Sequence, residues 1–106
     1  EGLQEHAREV GNYLKKLLNE LQKTHPLIAD VRGNGLFLGI ELVDGSQKPN
    51  TKLAAHIKNS LREKHILVST DGPYDNVIKI KPPLSFNKED AQTLVSALTS
   101  IFRNLG

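Results

Sequence analysis

Between Asp30 and Val43 the sequence D-V-R-G-N-G-L-F-L-G-I-E-L-V narrows what this chain can fold into more than any other stretch. Leu36, Leu38, Ile40 and Leu42 recur with period two and share one face of a strand, while Phe37, Gly39, Glu41 and Val43 share the other. One face is apolar and the other mixed, the pattern of a strand with a core on one side. Gly33 and Gly35 bracket Asn34, residue types that accept positive φ, so the chain is expected to turn or bulge there before the strand sets off. The glycines resemble a dinucleotide-binding fingerprint only superficially. Their spacing is G-x-G-x-x-x-G, and Gly35 is followed by a strand, not by a helix whose N-terminus would hold a pyrophosphate.

The 106 residues suffice for one domain that hides roughly two-thirds of its unfolded surface, so a single core is expected over residues 1–106. Fourteen Lys plus Arg stand against twelve Asp plus Glu with no block of five or six like charges, so nothing suggests a nucleic-acid tail and no nucleic-acid partner is expected. The absence of cysteine excludes disulfides and thiolate chemistry. No apolar run approaches the roughly 20 residues that span a bilayer, so no membrane partner is expected, and the reading is a soluble protein of the cytoplasm or mitochondrial matrix. The chain opens without Met and inside a helical pattern, as expected of part of a longer protein.

From Leu3 to Leu21 apolar residues fall at spacings of three and four, predicting a long helix that ends before Pro26. Leu27 to Val31 reads as a short strand leading to the glycines and the strand ending at Val43. A second helix, capped by Asn50 or Thr51, is predicted to about Lys64 with Leu53, Ala54, Ile57 and Leu61 on its buried side. Ile66 to Ser69 reads as a strand, and Asp71-Gly72-Pro73 as a turn. Val77 to Lys81 reads as a strand with Ile78 and Ile80 on one face and Val77, Lys79 and Lys81 on the other. Asn87 with Asp90 signals the N-cap of a last helix, whose stripe is Ala91, Leu94, Val95, Leu98, Ile101, Phe102 and Leu105. The links between strands are too short for crossovers. The expected fold is therefore an α+β two-layer sandwich, a mostly antiparallel sheet of about four strands covered by three helices.

His6, His25, His56 and His65 lie on different elements without ligand spacing, so no metal is expected. No serine or threonine sits in a nucleophile-elbow context. Tyr74 and Phe86 fall outside the predicted strands, whereas RNA-stacking sheets carry aromatics within them. Asp30 reads as a surface carboxylate, Glu41 as a partner for a basic group and Asp71 as a turn-former. Arg32 and the Lys79/Lys81 face remain, and together they could hold a carboxylate or phosphate. A domain standing alone would on that ground be a small-anion-binding or regulatory module.

Three segments carry a resemblance: Asp30 to Leu36 with Gly39 and Glu41, then Ser69-Thr70-Asp71-Gly72-Pro73, then Val77-Ile78-Lys79-Ile80-Lys81-Pro82-Pro83-Leu84. In order and spacing they resemble the C-terminal small domain of class III pyridoxal-phosphate aminotransferases, the ornithine and 4-aminobutyrate type within fold-type I, from about Leu3 to the end. The resemblance implies an Arg on the later strand that pairs with the substrate carboxylate, and the matching position here is Lys79. The K-x-K-P-P and S-T-D-G-P patterns are similar to the branch that includes phospholyases acting on phosphoethanolamine and phosphohydroxylysine, for the first of which no carboxylate needs clamping.

The resemblance further implies pyridoxal phosphate in a full-length parent, bound by a large domain this chain lacks, a homodimer or larger assembly, and a small amino compound as substrate. The 106 residues alone are expected to bind no cofactor and to catalyse nothing. Lys79 is the candidate substrate-facing cation, and Arg32 a weaker candidate with a structural or domain-boundary role.

Overall fold

The computed structural model describes residues 2–34, 37–63, 68–83 and 85–105. Among them the elements run α1 (Gly2–Thr24), β1 (Ile28–Asn34), β2 (Phe37–Leu42), α2 (Thr51–Glu63), β3 (Ser69–Asp71), β4 (Val77–Ile80) and α3 (Lys88–Arg103). The strands form one antiparallel sheet in the order β1-β2-β4-β3. This is the α+β sandwich that the periodicities predict.

The core lies between the sheet and its helices. Leu38, Ile40 and Leu42 of β2 and Ile78 and Ile80 of β4 meet Leu14, Leu18 and Leu21 of α1, the four predicted residues of α2, and Leu94 and Leu98 of α3. Each leucine or isoleucine among them contributes about 1.5–3 kcal/mol by leaving water. The stripe of α3 differs from the prediction at two points. Ala97 is buried within it, and Leu105 lies beyond the helix end, 44% exposed. The capping box at Asn87 is present: its side chain accepts from Asp90 N–H at 2.8 Å and its own N–H donates to the Asp90 carboxylate at 3.0 Å.

Strand boundaries differ more than helix boundaries. β1 runs on through Gly33 and Asn34, which pair with Leu38 and Phe37, so Gly33 is a ladder residue at φ +106°. A bulge lies at Ala29, where β1 carries one residue more than β2 between the Ile28–Leu42 and Asp30–Glu41 pairs, and the turn or bulge expected at Gly33 to Gly35 extends onto Gly35 and Leu36, which lie outside the described residues. β1 is an edge strand, and α1 covers its carbonyls: Lys15 Nζ donates to Gly33 O at 2.8 Å and Gln22 Nε2 to Ala29 O at 3.0 Å. The strand expected at Ile66–Ser69 appears as Ser69–Asp71, with Ile66 and Leu67 outside the described residues. β4 ends at Ile80, one residue earlier than predicted.

Candidate functional site

The sheet face turned away from the helices carries the polar chemistry. Cross-strand register sets two rows on it: Arg32, Gly39, Lys79 and Ser69 lie opposite one another, and beside them Asp30, Glu41, Val77 and Asp71. Gly39 gives the first row its shape. A Cβ there would stand 3.3 Å from Val77 Cγ1 and 3.7 Å from Arg32 Cγ, so the bare backbone of β2 is what lets the Arg32 side chain lie across it.

Arg32 uses that space to donate to Glu41 Oε1 at 2.6 Å, with Asp30 Oδ2 at 3.5 Å from its other terminal nitrogen. Both carboxylates are half-exposed or nearly so, and such surface pairs hold geometry more than they add stability. Glu41 is thus the strand-face partner its position predicts, and Asp30 joins the pair from the neighbouring row.

Lys79 sits at the centre of the other half. Its Nζ lies 2.8 Å from Asp71 Oδ2 and 5.1 Å from the centroid of Phe37, a cation resting on an aromatic face. The lysine side chain is 29% exposed against 49% for Arg32, so of the two candidate cations it is the more sheltered. Asp71 is held below the usual carboxylate range, chiefly by the Lys79 hydrogen bond and then by the Gly72 N–H. Lys81 is exposed and lies just past the end of β4, so of the two lysines predicted for this face only Lys79 is within the strand.

Asp71 is the residue that sequence reasoning misplaced. It closes β3 and pairs with Val77, and the turn begins after it, with Asp75 N–H donating to Gly72 O at 3.2 Å. Opposite Val77, it reaches Lys79 diagonally. The signal lay in the hairpin register: a turn at residues 72–76 brings residue 71 beside 77 and within diagonal reach of 79. Two contacts fix that turn. Asn76, 5% exposed, accepts from Leu42 N–H with its backbone carbonyl at 2.9 Å and donates its side-chain amide to Leu42 O at 2.9 Å, while the Thr51 hydroxyl at the start of α2 donates to Tyr74 O.

Elsewhere the titratable groups do structural work. Asp44 lies below the usual carboxylate range because the N–H groups of Lys48 and Ser46 bond its carboxylate, closing the loop after β2. His25 stacks on Phe102 with ring centroids 5.1 Å apart. Among the described residues no group of three His, Asp or Glu side chains could hold a metal ion, and no helix is long and apolar enough to cross a membrane.

The chain has counterparts among known proteins in sequence and fold. The sequence matches the family described as aminotransferase class-III over residues 1–102. It is 49% identical over 94 residues to an alanine–glyoxylate aminotransferase 2-like protein of Drosophila melanogaster, an alignment that covers 86% of this chain and 19% of that protein. It is 43% identical over 104 residues to ethanolamine-phosphate phospho-lyase homolog 1 of Caenorhabditis elegans, covering 95% of this chain and 22% of the relative. A phospholyase from Arthrobacter, solved in complex with phosphoethanolamine, superposes with a TM-score of 0.91 at 36% identity, over 99% of this chain and 25% of that one. The chain therefore spans a quarter or less of the length of these proteins. With the family pattern matched almost end to end and the sheet and helices superposing on a solved relative, the chain belongs to the class-III aminotransferase family.

Proposed function

We propose that this chain is the small domain of a longer pyridoxal-phosphate enzyme, and that its outer sheet face closes over a site built mainly by a large domain of the same protein. Elimination of phosphate from an amino-alcohol phosphate is the favoured reaction, and transamination the second reading. The observation that carries this choice is the lysine at position 79, where the family resemblance implies an arginine. A guanidinium grips a carboxylate with two parallel N–H groups, whereas an ammonium is a point charge without that fork. Lys79 is moreover already committed to Asp71 at 2.8 Å. A substrate whose amine-bearing carbon carries no carboxylate loses nothing by this arrangement. The likeness to a phospholyase holding phosphoethanolamine supports the same choice, while the likeness to the aminotransferase 2-like protein keeps transamination as the alternative.

Placement of the cofactor elsewhere in the longer protein is supported by the commitments of the groups present. Lys79 is ion-paired, the start of α3 is closed by its own capping box, and Thr51 at the start of α2 spends its hydroxyl on Tyr74. Assembly of the longer protein as a homodimer or larger oligomer belongs to the same proposal.

The test is made on the full-length protein. Phosphoethanolamine is expected to yield inorganic phosphate in a cofactor-dependent reaction, at a rate well above amino transfer from L-alanine to a 2-oxo acid. Amino transfer without phosphate release would move the assignment to the transaminase branch.

A further inference from the structure

The inference concerns Asp71 and rests on the reading of Lys79 as the substrate-facing cation. We propose that Asp71 is a specificity-determining positioning residue: by holding the Lys79 ammonium against β3 and cancelling its charge, it turns the site against amines that carry a carboxylate beside the amino group.

Four observations bear on this. Lys79 lies opposite Gly39 on one side and Ser69 on the other, so neither neighbouring strand places a bulky side chain beside it. Its Nζ takes the diagonal to Asp71 at 2.8 Å, and the Phe37 ring lies 5.1 Å away on the opposite diagonal. One of its three N–H groups is thus committed to a carboxylate while an aromatic face shields part of the rest. Asp71 is no loosely placed surface acid either. The turn behind it is anchored to α2 through Thr51 and to β2 through buried Asn76, which places the backbone that carries its half-exposed carboxylate beside Lys79. Its carboxylate is ionised at neutral pH as an ordinary aspartate's is, and the Lys79 and Gly72 bonds lower its pKa further.

The consequence is electrostatic. An arriving carboxylate meets a positive and a negative charge less than 3 Å apart. Its attraction to Lys79 is largely offset by repulsion from Asp71, an effect that grows as a closing domain excludes water and screening falls. The repulsive partner is what makes the site selective, since an unpaired lysine would attract a carboxylate beside the amino group. An amine without the carboxylate meets a site of no net charge and keeps its affinity.

The experiment compares two ligands that differ only by that group, L-alanine and ethylamine, by calorimetric titration of the full-length holoenzyme. Asp71→Asn keeps the size of the side chain and removes its charge. It is expected to tighten L-alanine relative to ethylamine about tenfold, equivalent to about 1.4 kcal/mol. The gain should vanish in the Asp71→Asn/Lys79→Ala double variant, and Asp71→Glu should retain the wild-type ratio. A ratio within twofold of wild type in Asp71→Asn overturns the proposal, because a merely structural Asp71 would alter stability and leave the ratio where it is. Should Asp71→Asn not fold, Asp71→Ser supplies the same comparison. Lys79→Ala separates the two layers: if it moves neither dissociation constant, Lys79 does not face the ligand. If it moves them while Asp71→Asn does not, Lys79 stands and the role of Asp71 falls.

Discussion

Leu38→Asp is expected to leave a chain with no cooperative unfolding transition. Leu38 is fully buried on β2, one of the two inner strands of the sheet, and belongs to the contiguous core that all three helices cover. Loss of a buried leucine alone costs about 2–5 kcal/mol. The aspartate adds a carboxylate that must either ionise without a partner or stay protonated at neutral pH, at several kcal/mol more. The total rivals the roughly 5–15 kcal/mol that holds a domain of this size together. Circular dichroism against urea reads the outcome directly: a sloping, transition-free curve is expected, and a sigmoidal curve with a midpoint near that of the wild type would show that β2 is not central.

Gly33→Ala is expected to have the next largest effect, from a methyl group alone. Gly33 stands at φ +106°, a conformation that costs a residue with a side chain on the order of 1–3 kcal/mol. An added Cβ would also lie 2.1 Å from the Phe37 carbonyl oxygen across the ladder, and backbone cannot move aside as a side-chain tip can. The Gly33–Leu38 pair must therefore open, disturbing the ends of both strands. A fall in the thermal midpoint on the order of 10 °C or more is expected. Gly45→Ala is the control: nothing lies within 4 Å of its added Cβ, and calorimetry should place its midpoint within about 2 °C of the wild type.

The contrast between Gly33 and Lys79 shows what the sequence could and could not disclose. Period and punctuation are local properties. Thus the helix-strand-strand-helix-strand-strand-helix order, the four buried residues of α2 and the Asn87–Asp90 capping box were all legible from spacing. Strand ends were less so, because a ladder is closed by its partner. β1 continues through Gly33 and Asn34 since β2 offers Leu38 and Phe37 to pair with, and nothing in the run D-V-R-G-N states that.

The site followed the same division. Alternation along β4 placed Lys79 on the outer face, and the residue types marked it as the candidate. The Asp71 carboxylate that neutralises it comes from another strand across a turn, and the sequence presents that residue as part of D-G-P, a turn signal. Arg32 shows the same limit in milder form. Its partnership with Glu41 depends on Gly39 leaving the strand between them bare, a three-residue relation that only register reveals.

The placement of Lys79 toward the substrate is tested most directly by steady-state kinetics of Lys79→Ala in the full-length protein, with cofactor content read from its visible absorbance. A KM for phosphoethanolamine raised about tenfold or more, with cofactor content unchanged, is the predicted result. Kinetics equal to those of the wild type would contradict it and remove Lys79 from the site.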